Sequence, residues 1–356
     1  MIRHILKLVI RDLGNNRIIA FINILGLALA LGTSYLILLY VIHECSFNSF
    51  HKEKDRIYRV LSEYNWVQNE WELVSSSSLL LADVLQKEYP EVEQAARVVD
   101  YELFYGGQYV KKDEQYIHET SFLVVDPTFF KIFSFPILRG DKDQFLQDPY
   151  DIVISEKIAA KYFEDENPGG RTLTIRNYEG EREYMVQGVF KDIPGNSTLQ
   201  ADLIGNVELT LSFYGDRGWS LSNVQTFLLL ESSNSQASLE EKLEDFYKEK
   251  HPDRKSFYRV QSLKDIHFHS YHLAWYQYPK GDLKKVYLLC AIGLIILLIP
   301  GVNYFILATG RGISRYMEIG IRKVVGASKR SIAFQVTSES VLILILALPL
   351  AIMVSE

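Results

Sequence analysis

The sequence predicts an α+β domain inserted between the first and second of several membrane-spanning helices, with an all-α membrane part. Three observations carry this reading. Long apolar runs occupy residues 18–43, 286–310 and 331–355. A polar, acidic stretch, 44–283, separates the first two. Within it, short β-branched and aromatic segments mix with amphipathic helical ones in no regular order, which suits α+β better than a parallel α/β sheet.

Charge is partitioned along the chain. Residues 1–43 carry Arg3, Lys7, Arg11 and Arg17 against Asp12, and residues 284–356 carry eight Lys/Arg against Glu318, Glu339 and Glu356. With a formal total of −6, residues 44–283 hold −14. Such an acidic middle gives no general attraction to nucleic acid. The two cysteines, Cys45 and Cys290, form neither a metal-type spacing nor a disulfide framework.

Residues 1–17 read as a cytoplasmic amphipathic helix. Ile2, Ile5, Leu6, Val9 and Leu13 share one face, while Arg3, Lys7 and Arg11 line another, the pattern of a helix lying in the membrane interface. Residues 18–43 are long enough to cross a bilayer, which needs about 20 residues. Ala28-Leu29-Ala30 offers a signal-peptidase pattern, but apolar sequence runs on past it, so an uncleaved span is preferred.

In the middle stretch, strands are expected at Ile57–Ser62, Phe122–Val125, Ile152–Ile154, Leu173–Arg176, Tyr184–Phe190, Thr226–Leu230 and Ser256–Val260. Helices are expected at Leu79–Glu88, Ser155–Phe163 and Leu239–Lys250, with Ser155 as an N-cap. Asn167-Pro168-Gly169-Gly170 and Pro194-Gly195-Asn196-Ser197 read as turns or subdomain joints.

The second span, 286–310, contains Pro300, Gly301 and Asn303, and Asn303 is placed to hydrogen-bond across a helix pair. Residues 311–330 lie between spans. There Ile313, Met317 and Ile321 recur at i, i+4 and i+8, with Val324 extending the stripe. Arg315, Glu318 and Arg322 fall on another face, and Gly326 is a natural stop. Such a helix suits docking against a soluble partner, or resting on lipid headgroups; the pattern fits both. Residues 331–355 form the third span. The basic residues of 308–335 and of the N-terminus place both in the cytoplasm and the acidic domain outside.

No Walker-type phosphate loop, G-x-S-x-G elbow or H-E-x-x-H helix occurs, so the sequence offers no catalytic or cofactor-binding constellation. His267-Phe268-His269-Ser270-Tyr271-His272 is the best metal candidate. On a strand His267 and His269 would share a face, but His272 falls off the alternation, and ordinary surface histidines are preferred to a metal site.

The chain resembles the MacB/FtsX-like ABC transporter permeases of Bacteroidetes-type bacteria. The resemblance runs from Ile22-Asn23-Ile24-Leu25-Gly26-Leu27-Ala28 through Glu44-Cys45-Ser46-Phe47-Asn48-Ser49-Phe50-His51 and Gln187-Gly188-Val189-Phe190-Lys191-Asp192-Ile193-Pro194. Its most specific piece is Glu318-Ile319-Gly320-Ile321-Arg322-Lys323-Val324-Val325-Gly326-Ala327. The resemblance implies a non-enzymatic permease subunit of the inner membrane with a MacB-like periplasmic core domain of two subdomains. It implies a separate ABC ATPase subunit docking on Arg315, Glu318, Ile319, Gly320, Ile321, Arg322, Lys323, Gly326 and Ala327. A second permease copy or half is a further implied partner, and so is the lipid bilayer. ATP-driven motion would pass through the membrane helices to the outer domain, in efflux, lipoprotein release or mechanotransmission. The family has a fourth span, so a chain ending after the third is expected to be shortened. The competing class is a membrane-anchored extracytoplasmic sensor or binding module.

Overall fold

In a computed structural model the structure describes residues 17–67, 70–164, 166–177, 180–211, 219, 224–250, 258–274, 278–310, 320–321, 324 and 329–355. The expected N-terminal amphipathic helix lies outside them. The chain divides into two compact units, residues 1–45 with 282–356, and residues 46–281.

The first unit is built from helices Arg17–Cys45, Leu283–Gly310 and Lys329–Ser355. Two carry long apolar windows, Phe21–Cys45 and Leu283–Asn303, with mean hydropathies of 2.1 and 2.4; in the third the apolar part is Val341–Val354. Small residues let the backbones approach. Ala28, Ala30, Ala347 and Ala351 are buried. A Cβ on Gly32 would stand 2.9 Å from the Ala351 carbonyl oxygen. Among the described residues, Ser34 Oγ donates to the Gly293 carbonyl at 3.3 Å, and Asn303 Nδ2 donates to Asn23 Oδ1 at 3.3 Å. The last is the cross-helix amide pair expected of Asn303. Leucines such as Leu36, Leu298 and Leu346 are exposed on these helices.

The second unit, the body, is a mixed sheet. Its strands are β1 (Ile57–Val67), β2 (Glu70–Val74), β3 (Val92–Asp100), β4 (Gln108–Lys112), β5 (Gln115–Glu119), β6 (Phe122–Val125) and β7 (Ile137–Arg139). They continue as β8 (Asp151–Ser155), β9 (Thr172–Asn177), β10 (Gly180–Phe190), β11 (Leu203–Asn206), β12 (Gln225–Leu230) and β13 (Arg259–Ser262). The hydrogen-bonded order is β13-β1-β12-β3-β6-β11-β8-β10-β9-β4-β5, with β2 on β1 and β7 on β10. Pairing is antiparallel except for β6 with β11 and β8 with β10.

The two-residue period of the strands sorts the core by face. Ile57, Leu61, Phe227, Leu229, Leu123, Val125, Val153 and Ile204 build one continuous cluster on one face, covered by the Phe129–Ile132 helical turn, Phe133, Phe135 and Phe145. On the other face the core divides. Tyr58, Val60, Leu228 and Leu230 pack under helices Leu81–Glu88 and Ser235–Lys250 through Leu85, Leu239, Leu243 and Phe246. Phe122, Val124, Ile152, Ile154 and Val186 pack under helix Glu156–Phe163 through Ile158 and Phe163. The two-part character of the body thus lies on one face of a shared sheet rather than in two separate sheets.

Local signals account for several elements. Ser155 accepts a hydrogen bond from Ile158 N at 3.2 Å, capping helix Glu156–Phe163. Arg97 on β3 meets Asp126, just past β6, through Nε at 2.9 Å, Nη2 at 2.6 Å and its backbone N at 2.6 Å. This nearly dry pair ties neighbouring strands at their ends.

Candidate functional site

The segment that leads into the body, Ser46–His51, is a tight turn fastened on three sides. Asn48 adopts a left-handed conformation (φ 57°), which asparagine tolerates better than most residues. Its side chain is buried and fully employed. Oδ1 accepts from Thr198 N at 2.8 Å, while Nδ2 donates to Thr198 Oγ1 at 2.8 Å and to the Leu263 carbonyl at 3.1 Å. Its backbone N donates to the Asn196 carbonyl at 2.8 Å, and Asn196 Nδ2 returns a bond to Ser46 Oγ at 2.8 Å. The turn written as Pro194-Gly195-Asn196-Ser197 is therefore the socket for the entry segment.

The segment that leads out of the body converges on the same place. Gly281 N donates to the His267 carbonyl at 2.8 Å. A Cβ on Gly281 would stand 2.4 Å from His267 Nε2, so only glycine fits. The His267 ring is stacked on Phe47, with centroids 3.5 Å apart and planes 8° from parallel. Entry and exit are thus held together through Leu263 and His267 as well as by the sheet.

Two further polar groups stiffen the joint. His51 is buried; its Nδ1 accepts from Ser134 N at 3.1 Å, which puts the proton of the neutral ring on Nε2. The ring stands edge-on to Phe133 and Phe135, with centroids 5.2 and 5.1 Å away. Burial lowers its pKa to about 4, so it is neutral at pH 7. Arg59, on β1, is also buried, and its Nη2 donates to Gln261 Oε1 at 2.6 Å and Ser270 Oγ at 3.1 Å. It joins β1, β13 and the turn after His269 in one network.

The histidine-rich stretch differs from its expectation. Ile266–His269 is one helical turn, not a strand, and His267 is buried rather than on the surface. Its ring is used in packing. His269 Nδ1 lies 3.4 Å from Asp265 Oδ1, and the His272 ring lies edge-on to Tyr271. Among the described residues no group of three or more His, Cys, Asp or Glu side chains is arranged to hold a metal ion.

Of the residues expected to dock an ATPase, Gly320 is helical and exposed. Ile321 and Val324 are also helical, and their side chains are 62% and 88% exposed. Arg315, Glu318, Ile319, Arg322, Lys323, Gly326 and Ala327 lie outside the described residues. Sequence reading passed over Phe47, Asn48, His267 and Gly281 as a working group. The available signal was their position, immediately after the first apolar run and immediately before the second.

The α+β body is flanked in sequence by two helices long and apolar enough to cross a membrane, and its chain enters and leaves through neighbouring segments. The family model of the MacB-like periplasmic core domain matches residues 20–246, and the chain belongs to that family. Over 210 residues it is 27% identical to the macrolide export ATP-binding/permease protein MacB of Neisseria meningitidis serogroup A and to that of serogroup B. Each match covers 58% of this chain and only 30% of the relative's length. Among solved structures, a domain of a putative permease from Porphyromonas gingivalis is 21% identical with a TM-score of 0.48, covering 69% of this chain and 99% of that one. The periplasmic region of MacB from Actinobacillus actinomycetemcomitans is 14% identical with a TM-score of 0.42, covering 59% and 90%. The extracellular domain of the ABC-type transporter YknZ from Gram-positive bacteria is 15% identical with a TM-score of 0.40, covering 57% and 99%.

Proposed function

We propose that this chain is a permease subunit of a MacB/FtsX-type ABC transporter, converting ATP hydrolysis by a separate ATPase subunit into motion of its outer body. The carrying observation is the joint: Asn48 and His267 bind the entry and exit segments to each other, so displacement of either attachment is delivered to the whole sheet. A ligand-sensing module needs no such fastening at its attachments. Membership of the MacB-like periplasmic core domain family supports the same reading.

In this reading residues 1–17 lie on the cytoplasmic face, 18–43, 286–310 and 331–355 cross the inner membrane, and 44–283 stand outside it. Residues 311–330 form the coupling segment, where Arg315, Glu318, Ile319, Gly320, Ile321, Arg322, Lys323, Gly326 and Ala327 meet the ATPase. Ile321 and Val324 present exposed apolar surface for that contact. A second permease copy or half completes the machine. The test is co-purification with an ABC ATPase subunit of the same organism. Arg322→Glu and Gly326→Leu should abolish the complex, and undiminished complex formation would contradict the reading.

A further inference from the structure

We propose that β5, the last strand of the body's sheet, joins β5 of a second copy of this chain, antiparallel about a two-fold axis at Ile117. This rests on the reading that two copies work together, gives the second copy a contact surface, and is independent of any ATPase.

The first observation is an open edge. β5 pairs with β4 and ends the hydrogen-bonded order of the sheet. Lys112 pairs with Gln115 across the two-residue turn Asp113-Glu114. In such a hairpin Lys112–Gln115, Val110–Ile117 and Gln108–Glu119 are the hydrogen-bonded pairs. The backbone N–H and C=O groups of Tyr116 and His118 therefore point away from β4. Among the described residues, no hydrogen bond reaches them on that side. The edge at the other end of the order is closed: Glu240 Oε1, on helix Ser235–Lys250, accepts from Val260 N of β13 at 3.1 Å.

The second observation is the lack of a guard. Sheet edges are ordinarily blunted by lysine, proline, a bulge or an inward charge. Gln115-Tyr116-Ile117-His118-Glu119 holds no lysine or proline, and its pairing with β4 has no register shift. Its one carboxylate, Glu119, is buried. Oε1 accepts from Lys161 Nζ and Tyr162 Oη, each at 2.5 Å, so its charge is answered from helix Glu156–Phe163. The Tyr116 ring is held as well, with the Arg176 guanidinium 3.9 Å from its centroid. A strand ordered in advance loses little freedom when it pairs.

The third observation is self-complementarity. A two-fold at Ile117 sets Tyr116 of each copy against His118 of the other, and every outward group of both strands gains a partner. A two-fold at Tyr116 or at His118 leaves the other of these residues facing a turn or a loop. With Ile117 at the centre, Gln115 lies opposite Glu119 and Tyr116 opposite His118, so no like charges oppose. A five-residue strand is a small contact. Copies already held in one assembly need no more, because the contact then forms at high effective concentration.

The test uses the full chain in phospholipid vesicles, with Cys45→Ser and Cys290→Ser and different affinity tags on two co-expressed copies. Ile117→Cys is oxidised with copper phenanthroline. In the proposed ladder position 117 faces itself with Cα atoms about 4.5 Å apart, whereas position 115 of the two copies lies about 14 Å apart, beyond disulfide reach. The linked dimer from Ile117→Cys should exceed that from Gln115→Cys by about fivefold or more. Adding Tyr116→Pro, which removes an outward N–H and none that β4 receives, should cut the dimer by about fivefold, and Tyr116→Ala should leave it within about twofold. Amide exchange at Tyr116 and His118 of the parent should be as slow as at Ile117. Equal cross-linking at 117 and 115 overturns the proposal. So does a 117 dimer that fades in proportion as lipid is added, which marks chance collision, and so does a cross-link from 117 to another polypeptide. Should the proline variant not fold, fast exchange at Tyr116 and His118 has the same force. Copies that co-purify through their tags yet fail these readouts leave the two-copy reading standing and remove the β5 contact; copies that do not co-purify remove both.

Discussion

The ring of His267 lies flat on the ring of Phe47, 3.5 Å between centroids, and the two residues belong to the segments by which the chain leaves and enters the body. A smaller group in place of the His267 ring would open a gap beside Gly281, whose missing Cβ leaves room for the imidazole. Gly281→Ala should therefore destabilise the joint by about 1–3 kcal/mol, the usual cost of overpacking. Amide exchange at Gly281 should speed up while β6 and β8 keep their protection. Unchanged exchange at Gly281 would show that the ring shifts freely and that the contact holds nothing.

Asn48 joins three segments with one side chain. Asn48→Ala removes the partners of Thr198 N and the Leu263 carbonyl and leaves a β-carbon residue in a left-handed conformation. The expected cost is about 2–5 kcal/mol, from unsatisfied buried groups and backbone strain together. Asn48→Gly removes the strain and keeps the loss of bonds, so it should fall between the two. Urea unfolding followed by tryptophan fluorescence orders the three proteins, and Asn48→Gly matching the parent would deny the side chain its role.

His51 gives the body a defined acid sensitivity. Its folded pKa is lowered from the usual 6.5 to about 4 by burial, so the unfolded chain binds the proton more readily. Stability from this group is complete above pH 6.5 and falls as pH drops towards 4, by about 3 kcal/mol across that window. His51→Gln should be less stable at pH 7 and show a shallower decline between pH 6.5 and 4. Identical slopes for the two proteins would assign the acid sensitivity elsewhere.

The Arg97–Asp126 pair should behave as a buried charge pair. Burial opposes the charge on Arg97, but Asp126 outweighs it and raises the Arg97 pKa. Asp126→Asn removes the main counter-charge of a nearly buried guanidinium and leaves the half-exposed Asp83, 3.5 Å away, as its salt-bridge partner. A loss of about 3–5 kcal/mol is expected in the same unfolding assay, and a loss below about 1 kcal/mol would place the pair in the class of exposed surface bridges.

Much of this architecture was legible because its signals are local. Phe122–Val125 is a bare apolar strand, Ser155 is an N-cap, and the helices Arg17–Cys45 and Leu283–Gly310 announce themselves by length and hydropathy. The strands that escaped notice lack that contrast. In β3, Ala95, Ala96 and Arg97 break the β-branched pattern, and Arg97 is acceptable there only because Asp126 arrives from a distant part of the chain. The β4–β5 hairpin turns at Asp113 with φ 55°, without the glycine that usually marks such a turn. The joint was illegible for a related reason. His267 looks like a surface or metal histidine until Phe47, 220 positions earlier, is laid on its ring.

The central claim is that the coupling segment and the body lie on opposite sides of one membrane. In sealed inner-membrane vesicles of known orientation, Lys323→Cys and Met185→Cys, each in a Cys45→Ser, Cys290→Ser background, are exposed to a membrane-impermeant maleimide. Labelling of position 323 from the cytoplasmic side and of position 185 only after the vesicles are opened is the predicted result. Labelling of both from the same side would contradict the account.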